Sequence, residues 1–279
     1  MTAARAAIPH VLTIAGSDPS GGAGVQADLK TFSALGAYGC AVLTSLTAQS
    51  TRGVTGVHVV PPEFVREQIE TLVDDVRLDA VKIGMLATAD VARVVTELIC
   101  EGRLSNVVLD PVMVSAAGSR LLDESAIGAV RAMLPYADVL TPNLPEAAVL
   151  LDANAATTVE QMYEQARALR DLGARGVLLK GGHALGADAV DVWVDESGEQ
   201  LLSAPRIDTE NTHGTGCTLS SAIAALRPQR AGWPDAVRDA KQWLTGALRR
   251  SGELSIGGGA GPVHHFYELW PAPSDARSG

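Results

Sequence analysis

The sequence predicts a layered α/β fold with a largely parallel sheet, and three observations carry that reading. Short β-branched or apolar runs alternate with longer amphipathic segments along most of the 279 residues, the pattern of strands joined by helical crossovers. Aromatic residues make up only 4% of a chain that is 47% hydrophobic, so the core is built mostly from Ala, Val, Leu and Ile, which suits helices packed closely on a sheet. Two glycine-rich loops each follow a strand or precede a helix, where open α/β sheets bind ligands. No linker divides the chain. The reading is one domain over residues 10–268, with short flexible segments at 1–9 and 269–279.

The strands expected in order are Val11 to Ala15, Ala41 to Ser45, Val57 to Val60, Ala80 to Ile83, Val107 to Leu109, Val139 to Thr141, Val177 to Lys180, Val190 to Val194 and Leu201 to Ala204. The last two flank Asp195-Glu196-Ser197-Gly198-Glu199 and read as a hairpin. Helices are expected over Pro62 to Asp74, Asp90 to Glu101, Val159 to Leu172, Cys217 to Leu226 and Trp233 to Ser251, each periodic enough for one packed face. Pro61-Pro62-Glu63 supplies a proline and an acid at one start, and Thr157-Thr158-Val159-Glu160 a hydroxyl followed by a carboxylate in the manner of a capping box. The glycine run over residues 257–261 is expected to break the last helix.

Composition narrows the function. A formal net charge of −10, from 22 basic and 32 acidic residues with no Lys/Arg cluster, argues against a nucleic-acid partner. An acidic protein that handles phosphates needs local devices: backbone amides, one or two lysines, and Mg²⁺. Cys40, Cys100 and Cys217 lack the spacing of a zinc site or a disulfide framework, which suits a reducing cytoplasm. The first residues run into Ile8-Pro9-His10 without an apolar leader, and no stretch approaches the roughly 18 apolar residues of a membrane span.

The richest stretch runs from Asn211 to Ala222 and contains Gly214-Thr215-Gly216-Cys217 at the entry to a helix. Glycines on both sides of Thr215 let successive N–H groups turn toward one spot, and the helix adds its free amides and positive dipole end. Anionic charge is favoured there. Cys217, in the first turn, is expected to have its thiol pKa lowered by that dipole, making it a candidate base or nucleophile; the alternative is a small buried cysteine in a tight turn. The loop Ala15 to Asp28 is also glycine-rich, but it is neither the dinucleotide G-x-G-x-x-G nor a P-loop. Within it, Asp18 either orients a substrate hydroxyl or caps the turn.

Polar residues collect at other strand ends. Asp110 follows one strand; Asn143 and Glu146 follow another, three residues apart, where they either supply oxygens to hydrated Mg²⁺ or form a helix capping box. Lys180-Gly181-Gly182-His183 ends a third, placing a cation where a phosphate chain would lie.

These motifs carry a resemblance. GSDPSGGAGVQADLKT, TAQST at Thr47 to Thr51, KIGML at Lys82 to Leu86, DPVM, TPNLPE, LLKGGH and NTHGTGCTLSSAIA occur in the order found in the hydroxymethylpyrimidine and phosphomethylpyrimidine kinases of thiamine biosynthesis, a ribokinase-like family, and the likeness runs from about Val11 to Tyr267. It implies a three-layer α/β/α sandwich, with ATP as co-substrate, Mg²⁺ as cofactor, a small pyrimidine as substrate and a homodimer as the assembly. By the same resemblance, Gly214, Thr215 and Gly216 form an anion hole with Cys217, which also serves as base. Gln49 hydrogen-bonds the aminopyrimidine edge, Met85 and Val112 pack on the ring, and Gly16, Asp18 and Ala23 complete the pocket. Lys180 reaches the ATP phosphates together with Asn143 and Thr215, while Glu146, Asn143 and Asp110 serve the metal. A pyridoxal kinase is the nearest alternative.

Overall fold

The structure, a computed structural model, describes residues 7–113, 124–182 and 188–271. Its strands are β1 (His10–Gly16), β2 (Tyr38–Ser50), β3 (Gly53–Val59), β4 (Ala80–Ile83), β5 (Val107–Leu109), β6 (Val139–Leu140), β7 (Val177–Lys180), β8 (Asp188–Asp195) and β9 (Gly198–Pro205). They form one sheet in the order β3-β2-β1-β4-β5-β6-β7-β8-β9. The six neighbouring strands β2, β1, β4, β5, β6 and β7 run parallel, while β3 pairs antiparallel with β2, β8 with β7, and β9 with β8.

The helices are α1 (Gly24–Ala34), α2 (Pro62–Val73), α3 (Ala89–Cys100), α4 (Glu124–Met133), α5 (Leu144–Leu151), α6 (Val159–Asp171), α7 (Thr215–Leu226) and α8 (Trp233–Arg249). Strand side chains alternate between faces, so each central strand feeds two cores. Leu12, Ile14, Val81, Ile83, Val107 and Leu109 pack with α2 to α6. Val11, Ala80, Val108, Leu178 and Trp193 pack with α1, α7 and α8. The three layers expected from the resemblance follow from that alternation.

Six strands and five helices lie within two residues of their expected limits; the differences have local causes. The segments expected at Ala41 to Ser45 and Val57 to Val60 belong to one hairpin of longer strands; β3 at the sheet edge is mostly exposed and the end of β2 beside it alternates, so neither carries a continuous apolar run. Helix α4 was not expected. The capping partner of Thr158 is the Gln161 N–H, with Gln161 Oε1 accepting back from Thr157, so the side chain closing the box lies one residue beyond Glu160. Helix α8 ends at Arg249, before the glycine run, which instead crosses to the β2–β3 turn where Gly259 N–H donates to Thr51 Oγ1 at 3.1 Å. His183 and residues 1–6 and 272–279 lie outside the described residues.

Trp193 is the largest fully buried side chain, and its indole N–H has no hydrogen-bond partner among the described residues. Trp193→Ala is therefore expected to lower the free energy of unfolding by about 3–5 kcal/mol, while Trp193→Phe, which discards only the unpaired N–H and part of the ring, lowers it by about 1–2 kcal/mol. Urea unfolding followed by circular dichroism measures both; equal losses would contradict the packing described.

Candidate active site

The carboxyl ends of the parallel strands bring the predicted residues to one edge of the sheet. Gly16 ends β1 and Asp18 and Ala23 follow it, Gln49 is next to last in β2, and Met85 follows β4. Asp110 and Val112 follow β5, Asn143 and Glu146 follow β6, and Lys180 ends β7. Helix α7 begins against them at Thr215.

Asp18 joins the two glycine-rich loops. Its Oδ1 accepts from the Ser20 N–H at 2.9 Å and Oγ at 2.7 Å, and its Oδ2 from the N–H groups of Gly22 at 3.1 Å and Ala23 at 2.8 Å. His213, just before the GTGC turn, completes the set through Nε2 at 2.8 Å; a carboxylate only accepts, so that nitrogen carries the hydrogen. Burial alone would push the Asp18 carboxyl up, but the bonds from His213, Ser20 and Ala23 hold it down at about 2. Of the two readings of Asp18, the structure displays the turn cap, with the N–H of Ala23 spent on the same carboxylate. Gly214 lies so close to the first loop that a side chain on it would begin 1.8 Å from the Gly22 carbonyl, and its φ of +73° is the left-handed value glycine tolerates.

This junction sets out the amides of α7. Thr215 N–H bonds to the Thr212 carbonyl and Thr218 N–H to that of Gly214, whereas the N–H groups of Gly216 and Cys217 find no acceptor among the described residues. Lys180 Nζ lies 3.3 Å from the point where a side chain on Gly216 would begin. Two open amides, a helix N-terminus and a cation therefore converge on one place, a ready anion site.

Lys180 is no solvated lysine. Its Nζ donates to Asp110 Oδ1 at 3.0 Å, and Asp110, 2% exposed, also accepts from Thr141 Oγ1 at 3.2 Å and, through Oδ2, from Ser220 Oγ at 3.2 Å. Although burial would lower it, the charges of Asp110 and Glu146 raise the Lys180 pKa and keep it cationic. Burial pushes Glu146 up to about 7 with the help of Asp110 and against Lys180. Asn143 and Glu146 form a full capping box on α5: Asn143 Oδ1 accepts the Glu146 N–H and Glu146 Oε2 the Asn143 N–H, both at 2.8 Å. The amide oxygen of Asn143 is thus committed to the helix.

Cys217 departs from expectation. Burial lifts its thiol to about 11; Lys82 and the Gly24 N–H pull down, Asp28 and Asp110 push up, and the dipole of α7 does not prevail. Lys82 and Asp28 were given no role in the sequence, and both are fully buried. Lys82 Nζ donates to Asp28 Oδ1 at 3.0 Å and Oδ2 at 2.9 Å, and Asp28 also accepts from Thr13 Oγ1 and Ser221 Oγ, each at 2.6 Å. A lysine inside the apolar strand Ala80-Val81-Lys82-Ile83 was the visible signal for this pair. His213 was equally legible beside the GTGC turn, but its partner is 195 residues away.

At the end of β1, a side chain on Gly16 would begin 3.1 Å from the Met85 methyl, Thr44 Oγ1 fixes the Met85 carbonyl at 2.6 Å, and Gln49 Nε2 lies 3.5 Å from His213 Nε2. Val112 is half-buried beside Asp110. Met85 thus lies against Gly16 and Gln49 beside His213, while Val112 follows Asp110, and the open amides of α7 stand beside Lys180.

The family described as phosphomethylpyrimidine kinase matches residues 18–264, which run from Asp18 through the GTGC turn to His264. The chain belongs to this family. The kinase is 53% identical over 262 residues, 94% of its own length and 98% of the relative's, to the hydroxymethylpyrimidine/phosphomethylpyrimidine kinase of Escherichia coli (strain K12). The protein of the same name from Rhizobium meliloti (strain 1021) is 47% identical, with 93% and 97% of the two chains covered. Among solved structures, the phosphomethylpyrimidine kinase of Clostridium difficile 630 superimposes with a TM-score of 0.77 at 37% identity, covering 86% of the kinase and 99% of that chain. An ADP complex of Bacillus subtilis pyridoxal kinase gives 0.85 at 37% identity, covering 94% and 99%.

The Asp18 junction has a pH signature. Its folded pKa lies below the ordinary carboxylate value of 3.8, so the stability it contributes is present above about pH 4 and lost as pH falls toward 2. Asp18→Asn is expected to cost about 2 kcal/mol at pH 7 and to flatten the acid limb of the stability curve. Urea midpoints between pH 2 and 7 measure it, and an unchanged acid limb would contradict the assignment.

Proposed function

We propose that the kinase transfers the γ-phosphoryl group of ATP to the hydroxymethyl oxygen of 4-amino-5-hydroxymethyl-2-methylpyrimidine, and then a second phosphoryl group to the resulting monophosphate, giving the pyrophosphate used to build thiamine. The observation that carries this reading is the convergence of the open Gly216 and Cys217 amides with Lys180. Phosphoryl transfer spreads charge over the equatorial oxygens of the moving group, and prearranged donors stabilise that charge with little reorganisation. The Gly16, Gln49, Met85 and Val112 side accepts the ring, with Asp18 acting through the loop it holds.

In the first transfer Cys217 accepts the proton of the hydroxymethyl group as the oxygen attacks phosphorus. Because burial holds the thiol near 11, the thiolate is a minor species at neutral pH and its fraction grows about tenfold per pH unit below that value. The acceptor of the second transfer is already an anionic phosphate and needs charge neutralisation rather than a base.

Mg²⁺ fits this site as a hydrated ion. Glu146 and Asp110 are the carboxylates that would hold its water shell, with Asn143 positioning Glu146, since no group of three His, Cys, Asp or Glu side chains able to hold a bare ion occurs among the described residues. When bound, the ion neutralises charge on the ATP phosphates. A homodimer and a cytoplasmic setting complete the reading, supported by exposed Leu46 and Val57 on the edge hairpin and by the free thiols Cys40, Cys100 and Cys217. No described helix is long and apolar enough to cross a membrane.

Pyridoxal phosphorylation is the second reading, favoured by the likeness to the Bacillus subtilis enzyme. ADP release with Mg-ATP and, separately, hydroxymethylpyrimidine, its monophosphate and pyridoxal separates the two. Turnover of both pyrimidines is expected, and preference for pyridoxal would overturn the first reading. Cys217→Ala is expected to slow the first transfer about 100-fold or more and the second by less than about threefold, and to abolish the rise of the first transfer between pH 7 and 9. Comparable losses in both steps would contradict the base.

A further inference from the structure

Helices α1 and α7 are joined by two rungs one helical turn apart. At the upper rung the Gly24 N–H, at the first residue of α1, favours the ionised form of the Cys217 thiol. Four residues on in each helix, Asp28 of α1 accepts from Ser221 of α7 at 2.6 Å. Residues i and i+4 lie on one helix face about 5.4 Å apart along the axis. The Asp28–Lys82 pair therefore sits one turn beneath the sulfur.

The sheet explains why the cation is there. Thr13 of β1 and Lys82 of β4 are register partners, and their side chains leave the sheet on the α1 and α7 side, where both reach Asp28. Asp28 thus spends its charge on four hydrogen bonds from three residues. Backbone geometry supports the upper rung: Gly24 has a φ of +56°, and a side chain there would begin 2.4 Å from the Gly16 carbonyl. The sulfur thus stands in the first turn of α7 within the influence of the N-terminus of α1.

From this arrangement we infer that Lys82 is a positioning residue for the first phosphoryl transfer: fixed by Asp28, its ammonium group supplies the positive charge against which Cys217 becomes a thiolate. The inference rests on the reading of Cys217 as base. The thiolate takes the proton of the hydroxymethyl O–H, the oxygen forms its bond to the γ-phosphorus, and the bond from that phosphorus to the bridging oxygen breaks with its electron pair left on ADP. The thiol then returns its proton to water. The other charged groups facing Cys217 are Asp28, Asp110 and, from β7, Lys180; those facing Lys82 are Asp28, Asp110 and Cys217. Burial would lower the Lys82 pKa, but Asp28 first, then Cys217 and Asp110, raise it, so the ammonium stays charged in its closed site.

The test compares both transfers in the full-length wild type and in Lys82→Met, Lys82→Arg, Ser221→Ala and Cys217→Ala, with alkylation of Cys217 by iodoacetamide at pH 8.5 followed by peptide mass mapping. Lys82→Met is expected to slow the first transfer about 100-fold and the second by less than about threefold, and to slow alkylation of Cys217 about tenfold, because the thiolate is the reacting form. Lys82→Arg restores most of both. Should Lys82→Met fail to fold, Ser221→Ala, which keeps both charges and loosens only the lower rung, is expected to slow the first transfer several-fold and leave the second unchanged. Equal loss in both transfers, or an unaltered alkylation rate, overturns the inference. If Cys217→Ala is selective and the Lys82 and Ser221 variants are not, only this inference fails; if Cys217→Ala leaves the first transfer intact, the base itself is wrong.

Discussion

The carboxylate of Asp18 is the constraint on which the rest of the site depends. It gathers five donors from two loops that are far apart in sequence, four of them within its own turn and one from His213. Without that acceptor the Gly22 and Ala23 amides would be buried or turned outward, and the close approach of Gly22 to Gly214 would lose its tie. The start of α7 is therefore set by a residue that need not touch a substrate, and the two open amides of Gly216 and Cys217 stand in place before any ligand arrives. Such prearrangement is what an electrostatic catalyst requires.

Charge is handled in the same spirit beneath that turn. A chain with a formal charge of −10 repels ATP at long range, so attraction has to be local. Lys180 and Lys82 are both buried cations held by carboxylates, Asp110 and Asp28, that are themselves satisfied by hydroxyls from α7, Ser220 and Ser221. Consecutive residues of one helix thus brace two ion pairs on neighbouring parts of the sheet edge. Removing one member of either pair leaves a buried charge without its partner, which is the costly direction. The same burial that keeps these pairs strong also lifts the Cys217 thiol, so the proposed base works against the environment that strengthens the proposed anion site.

Much of the fold was legible because central parallel strands buried on both faces are short apolar runs, as Ala80–Ile83, Val107–Leu109 and Val177–Lys180 show. The β2–β3 hairpin was not, since its edge position leaves alternating exposure and its two-residue turn lacks a Gly-rich dipeptide. Within the site, spacing alone placed the GTGC turn at a helix start and offered Asn143 and Glu146 as a capping box, which they are. The sign of the Cys217 shift was not accessible: a helix dipole is visible in sequence, but the depth of burial that opposes it comes from the packing of α1 against α7. Asp18 with His213, and Asp28 with Lys82, are pairs of high sequence separation, and nothing local announces the partner.

The central claim is that the Gly216 and Cys217 amides receive the transferred phosphoryl group. The most direct measurement is the amide ¹H–¹⁵N spectrum of the protein with Mg²⁺ and ADP, before and after adding aluminium fluoride as a planar phosphoryl mimic. The account predicts downfield proton shifts at Gly216 and Cys217 that exceed those of the other α7 amides, with Thr218, already bonded to Gly214, nearly unmoved. Unchanged Gly216 and Cys217 resonances while amides elsewhere respond would place the anion site somewhere else and contradict it.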